Sequence, residues 1–394
     1  MPSPPSRDRG HLAILDMLRG GAALYVAAYH AIGSLAPSGL RFDSRGGSVG
    51  LILDGNPLGL LGFGLYAVLG FFVLSGFVIH LRHASRPEEL VQRGRLAWTA
   101  DYGWRRSMRI YPPLLGAIAL TAVLTAIGSR TFPDWPWAQG TLTDARNLLV
   151  PVHGAATFGN GLALWSIAFE LWFYAAYALI AVVVLRVVHP SSPRRLGVVL
   201  AGTLMASAAL VLIQDHAPHV IPAEVQGLTN IAVYLPAWVA GAFLAELHVA
   251  GVRVPWPRWS AAAASLITVV AAFSSGNDLR PAVDLLWGLA ICLVIAVATL
   301  GPGRRWCSSR AGRWAASTSS WSYSLYLVHL PVILFGRAAL DEPAGRITNP
   351  LVVLAIFLAA VAVGWLFSLV VERPSRWLAA RPPRRLAGSA TSTT

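Results

Sequence analysis

The stretch LDMLRGGAALYVAAYHA, residues 15–31, is apolar enough to lie in a lipid bilayer, and runs of this kind decide the fold. Each of about ten such runs is near the ~17–25 residues that a helix needs to cross a bilayer. They cover residues 12–33, 58–80, 110–128, 161–186, 197–213, 228–247, 259–274, 283–300, 321–337 and 350–371. Because the runs lack the alternation of barrel strands, they predict an all-α, polytopic bundle of about ten transmembrane helices.

The composition agrees with a membrane protein and argues against a soluble one. Charged residues make up 12% of the chain, whereas about 25% is typical of soluble domains. Hydrophobic residues make up 55%, and the apolar runs are spread over the whole length. These features predict a multi-pass protein of the bacterial plasma membrane.

A net charge of +13 is compatible with a nucleic-acid partner, but the positions of the basic residues argue against one. All 31 basic residues are arginines, and they are densest in residues 82–109, 304–313 and 373–385. With the N-terminus in the cytoplasm, each of these segments faces the cytoplasm, as the positive-inside rule requires. The charge therefore predicts cytoplasmic N- and C-termini, and we expect no nucleic-acid partner.

A single membrane domain is expected over residues 11–379. The flanking segments 1–10 and 380–394 are rich in Pro, Ser, Thr and Arg, which predicts disordered tails. The two cysteines and the histidines show no metal-ligand spacing, so no bound metal is expected.

The first apolar run carries three groups that hydrocarbon penalises, namely Asp16, Arg19 and His30. Arg19 and His30 are eleven residues apart, only about 20° from full helical turns, so all three share one face. The separation along the axis is ~16 Å. Asp16 and Arg19 are candidates for a structural ion pair. His30 is a functional group or a packing histidine, and no neighbour in the sequence pairs with it.

The stretch LWSIAFELWFYAAY, residues 164–177, places a carboxylate, Glu170, well inside an apolar run. Ser166, Glu170 and Tyr174 step by four and therefore line one helix face, with Trp165 beside them. A carboxylate at that depth needs a partner or a water-filled cavity. It is either an anchor between helices or part of an active site.

Three arginines crowd the start of the third run in DYGWRRSMRIYPP, residues 101–113. Helix N-termini and arginine side chains both suit phosphate groups. The positive-inside rule explains some of these arginines, but it explains less well a pair at i, i+3, Arg106 and Arg109, that enters the apolar region.

Two further segments carry polar groups at membrane depth. In WSYSLYLVHLP, residues 321–331, His329 is either a core histidine bonded to a tyrosine or part of a site. In FFVLSGFVIH, residues 71–80, the small pair Ser75-Gly76 predicts close helix packing more than it predicts a nucleophile.

Taken together, these segments resemble the acyltransferase-3 family of integral membrane acyltransferases, which includes sugar, polysaccharide and macrolide O-acyltransferases. The similarity covers most of the chain and rests on six motifs in family order. They are LDMLRGGAALYVAAYHA with its Arg-x10-His spacing, FFVLSGFVI, RRSMRIYPPLL, LWSIAFELWFY, SYSLYLVHLP and VERPSRW. The family often has WSLSVE-x-x-FY where this chain has WSIAFELWFY. The chain resembles the stand-alone type, without a C-terminal esterase-like domain.

The resemblance implies an acyl-CoA donor, commonly acetyl-CoA, from the cytoplasm and a hydroxyl acceptor on a carbohydrate, a polysaccharide or a glycosylated small molecule. It also implies that Arg19, His30, Arg106, Arg109 and Glu170 serve the site, because they match family motif positions.

The chemistry of these residues assigns each an expected role. His30 is the expected general base, because imidazole titrates near neutral pH. The three arginines are expected to hold the CoA phosphates, and Glu170 to orient His30 or bind a sugar hydroxyl. Expected acceptor-binding side chains are Trp165, Ser166, Tyr174 and His329.

Two other classes of function remain open at this point. A transporter or flippase for a glycan or lipid-linked sugar would also have about ten spans and buried charges. However, the sequence has no visible inverted repeat, and transport gives no reason for a cytoplasmic arginine pair linked to an outer histidine. A structural scaffold or sensor would leave the buried charges unexplained.

Overall fold

A computed structural model describes the main helical parts of the chain. The described residues are 6–35, 63–86, 88–132, 164–182, 193–217, 220–221, 226–273, 280–300, 313–314, 317–340 and 349–381. They form helices and short connections and contain no β-strand, so the expected all-α class is confirmed for this part of the chain.

The helices are numbered here in chain order. They are α1 (Ser6–Leu35), α2 (Gly64–Ala84), α3 (Glu88–Arg93), α4 (Arg95–Thr131), α5 (Trp165–Ile180), α6 (Pro193–His216), α7 (Gln226–Val249), α8 (Trp256–Phe273), α9 (Arg280–Leu300), α10 (Ser322–Ala339), α11 (Pro350–Phe367) and α12 (Arg373–Ala379). A π-helical turn, Ser368–Glu372, joins α11 to α12, and a 3-10 turn, Ser319–Trp321, leads into α10.

Six helices of the described part are long and apolar enough to cross a membrane: α2, α4, α6, α7, α9 and α11 with its extension through α12. A shorter apolar helix, Ser166–Ile180, lies within α5. Each of the ten apolar runs overlaps a helix. A count of ten spans and cytoplasmic termini remain predictions. The domain bounds also remain a prediction, although α1 already begins at Ser6.

Helix α2 is the centre of the bundle. About 67% of the 18-residue apolar stretch of α2 is buried, compared with 17% of the corresponding stretch of α6 and 22% of that of α11. Helices α1, α7 and α9 pack around α2, and α10 packs between α1 and α11. Phe72 of α2 contacts the rings of Phe169 and Phe173 from α5, with centroid distances of 6.1 and 5.1 Å.

Helices α2 and α7 approach each other closely, and their contact depends on two glycines. A Cβ atom added to Gly76 would overlap the backbone carbonyl oxygen of Trp238, and one added to Gly241 would overlap that of Val73. Each helix therefore places a glycine against the other backbone, as in other small-residue contacts of membrane helices. The close packing predicted from Ser75-Gly76 is confirmed.

A buried polar chain also links α5, α2 and α7. His80 Nε2 lies 2.6 Å from a carboxylate oxygen of Glu246, and His80 Nδ1 lies 3.0 Å from the hydroxyl of Tyr177. His80 is fully buried and Glu246 is 2% exposed. Buried charges of this kind are paired because desolvation is costly, so the contact holds three helices in one register.

The outer helices turn large apolar side chains away from the protein. Leu204, Met205 and Leu212 of α6 are exposed, as are Leu351 and Leu358 of α11. Apolar surface on long helices is typical of contact with lipid, and it leaves the polar groups to the interior.

Candidate functional site

A cavity with an empty volume of about 840 Å³ lies among α1, α2, α4, α5, α10 and the π-helical turn. Its walls are apolar on the α2 side and polar elsewhere. The polar side chains that line it are Arg19, Ser75, Arg106, Arg109, Ser166, Glu170, Tyr174, Ser319, Ser322, Tyr323, Tyr326 and Glu372. Six of the nine residues expected from the sequence therefore share one cavity.

Three cations of this cavity come from two helices. Arg19 lies on α1, and Arg106 and Arg109 lie one turn apart on α4. None of the three forms an ion pair with an acidic side chain in the described ranges. The Arg106 guanidinium instead lies over the rings of Tyr102 and Tyr174, 5.6 and 5.3 Å from their centroids. Their positive charge is thus available to an anion.

Arg105 behaves differently from its neighbour Arg106. Its Nε donates to a carboxylate oxygen of Asp101 at 3.0 Å, and Arg93 donates to the same oxygen at 3.0 Å. The charge of Arg105 is therefore compensated by Asp101, whereas Arg106 forms no ion pair in the described ranges.

The expectation that a helix N-terminus assists these arginines is wrong. Helix α4 begins at Arg95, more than two turns before Arg106 and Arg109. The backbone N–H groups at that depth already donate to carbonyls one turn earlier, so they have no free hydrogen for a phosphate. Only the guanidinium side chains can serve an anion here.

The carboxylate of Glu170 faces the same cavity. The hydroxyl of Tyr174 donates to Glu170 Oε2 at 3.3 Å, and Ser75 Oγ lies 3.4 Å from that hydroxyl. Ser166 Oγ lies 2.7 Å from the hydroxyl of Tyr326. Ser166, Glu170 and Tyr174 line one wall, as their spacing predicts.

His30 and His329 lie beside the cavity instead of in its wall. Their ring centroids are 5.1 Å apart, and the ring of Tyr326, which lines the cavity, is 5.8 Å from that of His329. The sequence offered no neighbour for His30, because its neighbour comes from α10. His30 therefore does not line the cavity that Arg19 lines, and its role stays a prediction.

The orientation of His329 is fixed by the backbone. Its Nδ1 lies 2.8 Å from the carbonyl oxygen of Tyr326 and 3.1 Å from that of Leu325, so Nδ1 carries the hydrogen. Nε2 is then the acceptor, and it has no hydrogen-bond partner among the described residues. His329 is 1% exposed, whereas His30 is half-buried.

Two other expectations have different outcomes. Asp16 does not pair with Arg19 in the described part of the chain; it accepts a hydrogen bond from Ser319 Oγ at 3.0 Å. Trp165 is the first residue of α5, and its side chain lies outside what the structure describes.

Glu372 is the main site residue that sequence reasoning missed. It is 3% exposed, lines the cavity, and accepts from Ser324 N at 3.1 Å and Ser324 Oγ at 2.5 Å. It thereby satisfies a backbone N–H in the first turn of α10. The signal was an acid at the end of a long apolar run, within the motif VERPSRW.

Known proteins match this chain over nearly its whole length. Residues 12–369 match the family described as Acyltransferase domain, Acyl_transf_3. The acyltransferase MdmB of Streptomyces mycarofaciens is 25% identical over 394 aligned positions, which cover 94% of this chain and 93% of that protein. No solved structure shows a significant match to this chain.

Proposed function

Since the chain belongs to the acyltransferase-3 family, we propose that it transfers an acyl group from cytoplasmic acyl-CoA to a hydroxyl of a carbohydrate or glycosylated acceptor. Family membership makes the chain an acyltransferase, which argues against the transporter alternative. The observation that carries the finer proposal is the cavity itself. Three arginines that form no ion pair with an acidic side chain in the described ranges lie at its wall, and His329, which lies beside His30, is 5.8 Å from the ring of Tyr326 in that wall.

The arginines support a phosphate-bearing donor. A guanidinium offers several fixed N–H donors that match phosphate oxygens, and it stays charged at every physiological pH. Arg106 and Arg109 together with Arg19 would hold the CoA phosphates at the cytoplasmic side. Acetyl-CoA is the first donor to test, because the residues of the cavity do not distinguish acyl chain lengths.

His30 is the proposed general base. It removes the proton of the acceptor hydroxyl as the alcohol oxygen attacks the thioester carbonyl. The C–S bond then breaks, and the proton passes to the sulfur, so the products are the ester and CoA thiol. His329 is proposed to hold His30 in position through its Nε2 acceptor, in addition to lining the acceptor path.

Tyr326 lines the donor cavity and its ring lies 5.8 Å from that of His329, so we place the path of the thioester to the histidines at this side chain. The proposal requires the Tyr326 side chain to move when the donor binds, and Ser166, whose Oγ lies 2.7 Å from its hydroxyl, would hold it until then. Trp165 and Tyr174 are proposed to contact the acceptor. Glu170 accepts a hydrogen bond from Tyr174 instead of contacting His30, which favours a sugar hydroxyl as its partner.

The decisive experiment measures donor-dependent labelling of acceptors in membranes that contain the protein. With radiolabelled acetyl-CoA, His30→Ala should lower the rate by about 10²–10⁴-fold, as for other general bases, while the protein still inserts. The matched control is His216→Ala, which removes an exposed histidine at the end of α6.

Substantial transfer by the His30→Ala protein would overturn the assignment of the base. Transport of a glycan without any dependence on CoA would overturn the proposed function. Mass spectrometry of glycans from a deletion strain identifies the acceptor, because the ester is lost from one hydroxyl position.

A further inference from the structure

A second pocket lies beside the cavity, between the end of α2, helix α3 and the first turns of α4. It is called the α2–α4 pocket here, and its empty volume is about 480 Å³. Ile79 and Arg106 line both spaces, so the two are neighbours on either side of these side chains. A ligand longer than one pocket can therefore reach from one into the other past Arg106.

Three buried polar atoms on residues of the α2–α4 pocket lack hydrogen-bond partners in the described part of the chain. They are His83 Nδ1, Asp101 Oδ1 and Arg106 Nε. His83 is 7% exposed and Asp101 is 6% exposed. Buried polar atoms without partners cost free energy, so their presence on one pocket indicates a polar ligand that supplies the missing bonds.

The charges of this pocket favour a polyanion. Arg86 pairs with Glu89 at 3.2 Å, and Asp101 is paired twice, with Arg93 and Arg105. The acids of the wall are thus already compensated. Arg82 and Arg106 form no ion pair with an acid in the described ranges, and the three arginines of the lining outnumber its two acids, which leaves an excess of positive charge for phosphate groups.

Three aromatic side chains also line this pocket. Trp98 and Tyr102 stack with their centroids 5.2 Å apart and their planes 4° from parallel, and Tyr177 lies 5.7 Å from Tyr102. Flat aromatic groups next to basic side chains are what proteins use to hold a nucleotide base beside its phosphates.

We propose that the α2–α4 pocket binds the adenine nucleotide end of the acyl-CoA donor, an inference that rests on the proposed function. Asp101 Oδ1 accepts from the exocyclic amino group of adenine, and His83 Nδ1 bonds a ring nitrogen. Arg82 contacts the ribose 3′-phosphate, and Arg106, which lines both spaces, contacts the diphosphate together with Arg109 and Arg19. The pantetheine arm passes Arg106 into the cavity and carries the thioester towards Tyr326.

The test compares two donors that differ only in the nucleotide. Acetyl-CoA carries it, and S-acetylpantetheine does not. Arg82→Gln removes an exposed cation that forms no ion pair in the described ranges, and His83→Phe keeps a ring of similar size and removes both nitrogens. Arg95→Gln is the matched control, because Arg95 is exposed at the start of α4 and does not line the pocket.

Each of the two test variants should raise the KM for acetyl-CoA about tenfold or more, as expected for loss of a charge-assisted or buried hydrogen bond. Their kcat/KM for S-acetylpantetheine should stay within about twofold of the unaltered protein, and Arg95→Gln should change neither value. Equal losses with both donors, or no loss with acetyl-CoA, would overturn the inference.

Binding of adenosine 3′,5′-bisphosphate to the purified protein separates this inference from the proposed function. We expect Arg82→Gln and His83→Phe to weaken that binding about tenfold. If the unaltered protein transfers no acyl group but binds the bisphosphate in this way, the proposed function fails and the nucleotide site stands. Binding of inorganic phosphate with the same affinity would show an anion site only, and the inference would fail.

Discussion

The close contact between α2 and α7 predicts that one added methyl group on either glycine destabilises the protein. A Cβ atom on Gly76 would lie 2.9 Å from the carbonyl carbon of Trp238 and would overlap its oxygen. Both atoms belong to helix backbones, so no side-chain rotation relieves the overlap. In Gly76→Ala the two helices must move apart.

The expected loss in the free energy of unfolding depends on the kind of atoms that overlap. Overpacking of a close-packed interior typically costs about 1–3 kcal/mol, and rigid backbone partners place this variant in the upper half of that range. Gly241→Ala should behave alike, because its Cβ would overlap the carbonyl oxygen of Val73. The double variant should cost less than the sum of the two, since one separation of α2 from α7 relieves both overlaps.

Gly70→Ala is the matched control on the same helix. Its added Cβ would lie 3.9 Å from Ile291 Cγ2, which is ordinary contact. Since Ala is favoured over Gly inside a helix by about 1 kcal/mol, this variant should be as stable as the original or more stable.

The assay is unfolding of the purified protein in detergent, followed by circular dichroism or by tryptophan fluorescence. Gly76→Ala should unfold at lower temperature or denaturant than Gly70→Ala. The packing argument would be refuted if the two variants unfolded together, or if the two glycine substitutions in α2 and α7 added without coupling.

Other predictions concern the cavity. Arg106→Gln or Arg109→Gln should raise the KM for acyl-CoA by about 10–100-fold, measured from initial rates, whereas Arg194→Gln on α6 leaves it within about twofold. Tyr174→Phe removes the hydroxyl that donates to Glu170, so kcat should fall about 5–10-fold. The free energy of unfolding should change by less than about 1 kcal/mol. An unchanged kcat would contradict the proposed role of Tyr174. Glu372→Ala leaves the first turn of α10 without its acceptor and should destabilise the protein by about 1–3 kcal/mol, read from denaturant unfolding.

Some features of the site can be predicted from the spacing of residues along a single helix. The spacing of Ser166, Glu170 and Tyr174 predicts one face, and all three line the cavity. The pairing of Arg105 with Asp101 also follows from spacing, because residues four apart on a helix are neighbours. That spacing distinguishes Arg105 from Arg106, which has no acid four residues before it.

Other features could not be predicted in this way, because they depend on contacts between segments that are distant in the sequence. His329 lies beside His30 although 298 residues separate them, and Ser324 donates to Glu372 across 48 residues. The start of α4 at Arg95 was also missed, because polar residues that precede the apolar run hid the continuity of the helix.

The sequence by itself determined the class of the molecule: apolar runs of membrane-crossing length, helices with polar faces, and family motifs in order. Only the tertiary structure decided that the arginines share a cavity, that His30 lies beside His329, and that Glu372 supports α10. The physical reason is that helical periodicity sets which residues share a face. Which faces meet depends on packing such as the Gly76 and Gly241 contact, where backbones approach only because two side chains are absent.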